Sequence, residues 1–77
     1  MTTLMWEVRA APGRLEDLLA VVLEHADPAA DVYRSKDGRV VVIDPTGRGL
    51  AEVPGELVAR PPHVWAFEPV RRSTAAQ

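Results

Sequence analysis

His25 and His63 are the side chains of this 77-residue chain best suited to acid–base or metal chemistry, and neither sits in a recognisable catalytic set. A catalytic imidazole needs a nucleophile or an orienting carboxylate in a fixed relation to it. The chain has no cysteine, and its serines, Ser35 and Ser73, lack the elbow motif that exposes a serine nucleophile. Gly47-Arg48-Gly49 matches neither standard phosphate-binding loop and reads as a flexible connector. His63 could hold a metal only with carboxylates such as Glu7 or Glu68, since two carboxylates and an imidazole can form a site. No local spacing gathers them, so no metal and no cofactor are expected, and catalytic residues stay unassigned. His25 lies near the end of a helical segment, where a cation suits the negative end of the helix dipole.

The aromatic residues form a second group. Trp6 lies on the first predicted strand; Trp65 and Phe67 lie on the last. If those strands are neighbours, the three rings cluster on one sheet face. Such a cluster serves either as core or interface packing, where aromatics carry much of the burial, or as an apolar pocket for a flat small molecule, oriented by a few polar groups. The polar candidates are Glu7, Arg9, Tyr33 and His63. The candidate ligand-binding set is therefore Trp6, Arg9, Tyr33, His63, Trp65 and Phe67.

The elements that must position these residues follow from periodicity. Residues 4–10 alternate, with Leu4, Trp6 and Val8 on one face and Met5, Glu7 and Arg9 on the other, the pattern of a strand. Glu7 and Arg9 prefer the more open face, leaving Leu4, Trp6 and Val8 towards the helices. From Leu15 the period becomes helical: Leu15, Leu18, Leu19, Val22, Leu23 and Ala26 form one stripe, with Glu16 and Asp17 in the first turn, and Asp27-Pro28 closes the helix. Residues 31–36 and 39–44 read as two strands joined at Asp37-Gly38, a strong hairpin signal. The second of them alternates Val40 and Val42 against Val41 and Ile43, so both its faces are apolar and both need cover. Asp44-Pro45-Thr46-Gly47 has the residue order of a type I turn. Leu50, Val53, Leu57 and Val58 have helical spacing, but Pro54-Gly55 interrupts them; a short, broken helix is expected, with a Pro-Gly-centred hairpin (50–53 with 56–59) as the alternative. Residues 63–70 form the last strand, with Pro69 near its end or on a sheet edge.

Strand, helix, strand, strand, weak helix, strand is the order of a split βαβ pattern. The expected fold is α+β: a ferredoxin-like βαββαβ layout with a four-stranded antiparallel sheet, helices on one face and a short or broken second helix. Residues 1–70 make the domain and 71–77 a flexible tail. This order, with the doubly apolar strand Val40–Ile43 and the Arg60-Pro61-Pro62-His63-Val64-Trp65 run into the last strand, resembles the dimeric α+β barrel superfamily, which includes the antibiotic-biosynthesis monooxygenase-like proteins. The resemblance covers about residues 3–70 and is one of pattern. It implies two sheets packed face to face across a dimer and, for the oxidising members, an aromatic substrate handled without metal or flavin. Those members place Trp, Asn and Tyr around the pocket, and haem-degrading relatives use His with Asn and Trp. This chain has no asparagine, so neither set carries over whole.

Composition narrows the function classes. Nine Lys and Arg against eleven Asp and Glu give a net charge of −2 with mixed signs along the chain, unlike the basic footprint of a nucleic-acid binder or a polybasic membrane surface. No apolar run approaches the ~20 residues that span a bilayer, and the first residues lack the blocks of a signal peptide. A cytoplasmic location is expected. A cysteine-free chain this small has a thin stability margin and gains most from a partner subunit. The leading expectation is a homodimeric, non-catalytic module, paired through its sheet face, that binds a ligand, possible among them a small aromatic molecule, or a partner protein. The alternative is a cofactor-independent monooxygenase-like enzyme acting on an aromatic small molecule.

Overall fold

The computed structural model describes residues 2–50 and 52–71. Its elements run β1 (Thr3–Arg9), α1 (Leu15–His25), β2 (Asp31–Arg34), β3 (Arg39–Asp44), a 3₁₀ turn (Gly55–Leu57) and β4 (His63–Phe67). The strands form one sheet in the order β2-β3-β1-β4, antiparallel at every pairing. The fold is therefore α+β. The expected tail beyond residue 71 lies outside the described residues.

Strand register sorts the side chains, because residues directly opposite one another share a face. Leu4, Trp6 and Val8 stand opposite Asp44, Val42 and Val40, and Val32 stands beside Val42. This is the covered face, as the positions of Glu7 and Arg9 predict. Its core joins Trp6, Val8, Ala10, Val40 and Val42 to Leu18 and Val22 of α1 and to Val53 and Leu57 of the connection into β4.

Helix α1 spans the predicted stretch, but its buried stripe is narrower than the predicted one. Leu18 and Val22 are fully buried, Leu15 and Leu19 pack against the core, and Leu23 is 64 % exposed. Five residues on from Leu18, Leu23 points about 140° away around the helix, beyond the reach of the sheet. His25 Nδ1 lies 3.0 Å from the Val21 carbonyl oxygen, at the helix end where a donor is favoured.

Three predicted elements differ; of these, β4 ends at Phe67, before Pro69, instead of running to 70. Strand β2 ends at Arg34, and the connection to β3 is the four residues Ser35–Gly38. Only glycines have positive φ among the described residues, Gly38 at +89°, so Asp37 does not adopt the left-handed conformation of a two-residue hairpin turn. Instead Ser35 caps the loop: its N–H donates to the Arg39 carbonyl at 2.8 Å, and its Oγ accepts from Arg39 N–H at 3.0 Å. Among the described residues of 48–62 the expected short, broken helix is reduced to one 3₁₀ turn after Pro54, and no strand of the alternative hairpin is found. The chain there bonds to the end of β1, with Ala11 N–H donating to Leu57 O at 2.9 Å and Ala59 N–H to Arg9 O at 2.8 Å. The apolar spacing nevertheless reported burial correctly. Val53 and Leu57 are buried, and Leu50 and Val58 pack against them.

Asp44 is the one buried charged residue, 2 % exposed among the described residues. Burial pushes its carboxyl up, but donors surround it. Thr46 N–H and Thr46 Oγ1 donate to Oδ1 at 2.8 and 2.6 Å, and Gly49 N–H donates to Oδ2 at 2.8 Å. With Arg48 nearby, these bonds outweigh burial and hold the carboxyl below its ordinary value. A carboxyl whose folded pKa is depressed stabilises above its unfolded pKa, and that stabilisation is lost as pH falls through the folded value. Stability is therefore expected to decline on acidification below about pH 4, and Asp44→Asn to flatten that decline. At neutral pH Asp44→Asn is expected to destabilise by about 2 kcal/mol, because its amide would present a donor to the Gly49 N–H. Thermal unfolding of both proteins across this range checks the prediction; an unchanged acid slope in the variant would contradict it.

Candidate functional site

The other face of the sheet carries no covering layer. Register places Asp31, Ile43, Met5 and Trp65 in one row across it, Tyr33, Val41, Glu7 and His63 in the next, Thr3 and Phe67 beyond the first row, and Arg39 and Arg9 beyond the second. Met5, Val41 and Ile43 are half-buried by their neighbours alone, while Tyr33, Trp65 and Phe67 are 57, 43 and 51 % exposed. One end of the face is thus apolar and aromatic, and the other charged.

The expected aromatic cluster divides between the faces. Strands β1 and β4 are neighbours, but Trp6 stands opposite Val64 on the covered face and is 6 % exposed, whereas Trp65 and Phe67 stand opposite Met5 and Thr3 on the open one. Trp6 is core. Tyr33 shares the open face but sits on the far strand of its row, about 14 Å from His63. The structure therefore groups Trp65, Phe67 and His63, brings Arg9 to the same face, and leaves Tyr33 at the opposite edge. The His63 and Trp65 rings are 5.6 Å apart in a tilted arrangement.

The charged end is shaped by an irregularity in the β4 edge. Val58 bridges Ala10, and His63 pairs with Glu7. Between those pairings β1 has Val8 and Arg9, but the edge chain has Ala59, Arg60, Pro61 and Pro62. The extra residues bulge outward, since neither proline can donate to a ladder. They close a recess of ≈ 70 Å³ lined by Glu7, Val8, Arg9, Arg39, Arg60, Pro61 and His63. Glu7 receives Arg39 Nε at 3.0 Å and faces His63 Nδ1 at 3.5 Å. Arg9 reaches the β2–β3 loop, donating to the Asp37 carbonyl at 2.9 Å with the Asp37 carboxylate at 3.4 Å. The Ser35 hydroxyl donates to Asp37, and this bond with the Arg9 and Arg39 guanidiniums holds the Asp37 carboxyl below its ordinary value against the effect of burial. Sequence reasoning missed Arg39 and Arg60. Arg39 enters through its register opposite Arg9, and Arg60 through its place before two prolines.

A second, larger groove of ≈ 780 Å³ lies on the covered side, beside the 3₁₀ turn, where Trp6, Leu50, Val53, Pro54, Val58 and Pro61 contribute to its wall. Its charged lining residues, Glu52 and Arg60, are both exposed. Among the described residues no three His, Asp or Glu side chains gather where they could hold a metal ion: His63 meets Glu7 without a third ligand. No helix there is long and apolar enough to cross a membrane. No protein-family model matches this chain, and no curated protein or solved structure is significantly similar to it.

Proposed function

We propose that the chain is a small binding module that pairs with a second copy of itself through the open face of its sheet. The observation carrying this reading is the uncovered row of Ile43, Met5 and Trp65, flanked by Val41 and Phe67. Four strands about 4.8 Å apart and about 20 Å long give the whole open face roughly 400 Å² in projection; about half of it is the apolar tract, rimmed by polar residues as interaction sites are. An isologous pair would lay this tract against itself and leave the charged end at the rim, the usual division of an interface. The strand order, with a helix between β1 and β2 and only a 3₁₀ turn between β3 and β4, supports a ferredoxin-like βαββαβ layout with its second helix reduced to one turn. The dimeric α+β barrel group builds sheet-to-sheet pairs from that layout.

The enzyme alternative calls for one enclosed cavity lined by the aromatics together with Tyr33, His63 or Arg9. In a single copy these residues are dispersed. Trp6 lines the large groove, Arg9 and His63 line the recess, and Trp65 and Phe67 line neither. This distribution favours binding over catalysis. A small aromatic ligand, one of the possibilities the sequence leaves open, would sit between the paired sheets, against Trp65 and Phe67 of both copies.

Sedimentation equilibrium across a dilution series tests the pairing. The expected result is twice the 8.4 kDa chain mass, falling only on dilution. A single-chain mass at every concentration would overturn the reading.

A further inference from the structure

Arg9 and Arg39 stand directly opposite each other on adjacent strands. Like charges in that position repel, and the bulge brings Arg60, which also borders the covered-side groove, to the wall of the same recess, with His63 beside it. Two carboxylates answer them: Glu7, engaged by Arg39 and facing His63, and Asp37, engaged by Arg9. Arg60 has no ion-pair partner among the described residues. The recess thus keeps a positive balance even with a neutral imidazole.

We propose that this recess is a receptor for a compact oxyanion, the phosphate or carboxylate group of a small molecule, bound by Arg60 together with Arg39, Arg9 and His63. Size fits: ≈ 70 Å³ is several times the ~10–15 Å³ that one water requires, enough for a single oxyanion. Geometry fits as well, since guanidinium forks match both carboxylate and phosphate oxygens in paired bonds. Glu7 turns towards Arg39 and His63 and so orients them. The recess is complete within one copy, so the assignment does not depend on self-association.

The test is amide-resolved NMR of the full chain, titrated with inorganic phosphate and, separately, with acetate, chloride balancing the ionic strength. The expected result is saturable shifts at Glu7, Arg39, Arg60 and His63, with affinity about tenfold weaker in Arg60→Gln. Arg60 is exposed and has no ion-pair partner among the described residues, so this variant is expected to keep the fold, and its spectrum shows that directly. Saturation by phosphate alone assigns phosphate chemistry, by acetate alone carboxylate chemistry, and by both a general oxyanion receptor. Linear, non-saturating shifts with both probes, or undiminished affinity in Arg60→Gln, would overturn the proposal. Sedimentation of the same samples separates this result from the fate of the dimer.

Discussion

Leu18→Ala is expected to destabilise the fold by about 3 kcal/mol and lower its thermal midpoint by roughly 15–25 °C. Leu18 is 0 % exposed in the first half of the one α-helix described, inside a core of nine buried residues among the described ones. Truncation removes the transfer energy of its side chain and leaves a cavity. A chain of this length has only roughly 4–12 kcal/mol of total stability, so the loss is a large share. Leu23→Ala, in the same helix at a 64 % exposed position, is expected to change stability by less than about 0.5 kcal/mol. Thermal unfolding followed by far-ultraviolet circular dichroism checks both. Similar losses in the two variants would show that the core is not centred as described.

Trp65→Ala is expected to raise the dissociation constant of the proposed dimer by about 30-fold or more, the effect of removing an aromatic anchor worth about 2 kcal/mol. Trp65 is the large side chain of the apolar row, next to Met5 and Ile43, and is 43 % exposed in one copy. It lies on an edge strand outside the core, so the variant is expected to stay folded, with a stability change of about 1 kcal/mol or less. Sedimentation equilibrium measures the dimer and thermal unfolding the fold. An unchanged dissociation constant would move the contact away from this face.

The parts of the fold legible in the sequence are those where polar and apolar residues alternate without ambiguity. Glu7 and Arg9 assign the faces of β1, and the Leu15–Val22 stripe assigns α1. Strand β4 was not legible in this way. His63, Trp65 and Phe67 alternate with Val64 and Ala66, so both faces carry apolar groups and nothing in the pattern says which meets the core. A one-residue shift of register exchanges the faces, and that register alone puts Trp65 on the side of the sheet opposite to Trp6. The recess was hidden for a related reason: Arg9, Arg39 and Arg60 are distant in sequence and meet through a cross-strand pairing and a bulge, neither of which leaves a periodic trace. In 48–62 the apolar spacing reported which residues pack inward but not the backbone that carries them, because Pro54 and the hydrogen bonds to β1 decided the local conformation.

The proline bulge before β4 also limits how copies of this chain can polymerise. An exposed strand edge is a template, and edge-to-edge addition is open-ended: each added molecule offers a fresh edge to the next. Pro61 and Pro62 offer no amide hydrogens, so the ladder on that side is confined to the five residues His63–Phe67. The opposite edge, β2, is four residues long and begins and ends on charged side chains, Asp31 and Arg34. With both edges short, growth into fibrils finds little purchase, whereas stacking face on face about a two-fold axis ends with two molecules. Substitutions that gave 61 and 62 amide hydrogens in strand geometry would lengthen the template and turn a closed association towards an unlimited one.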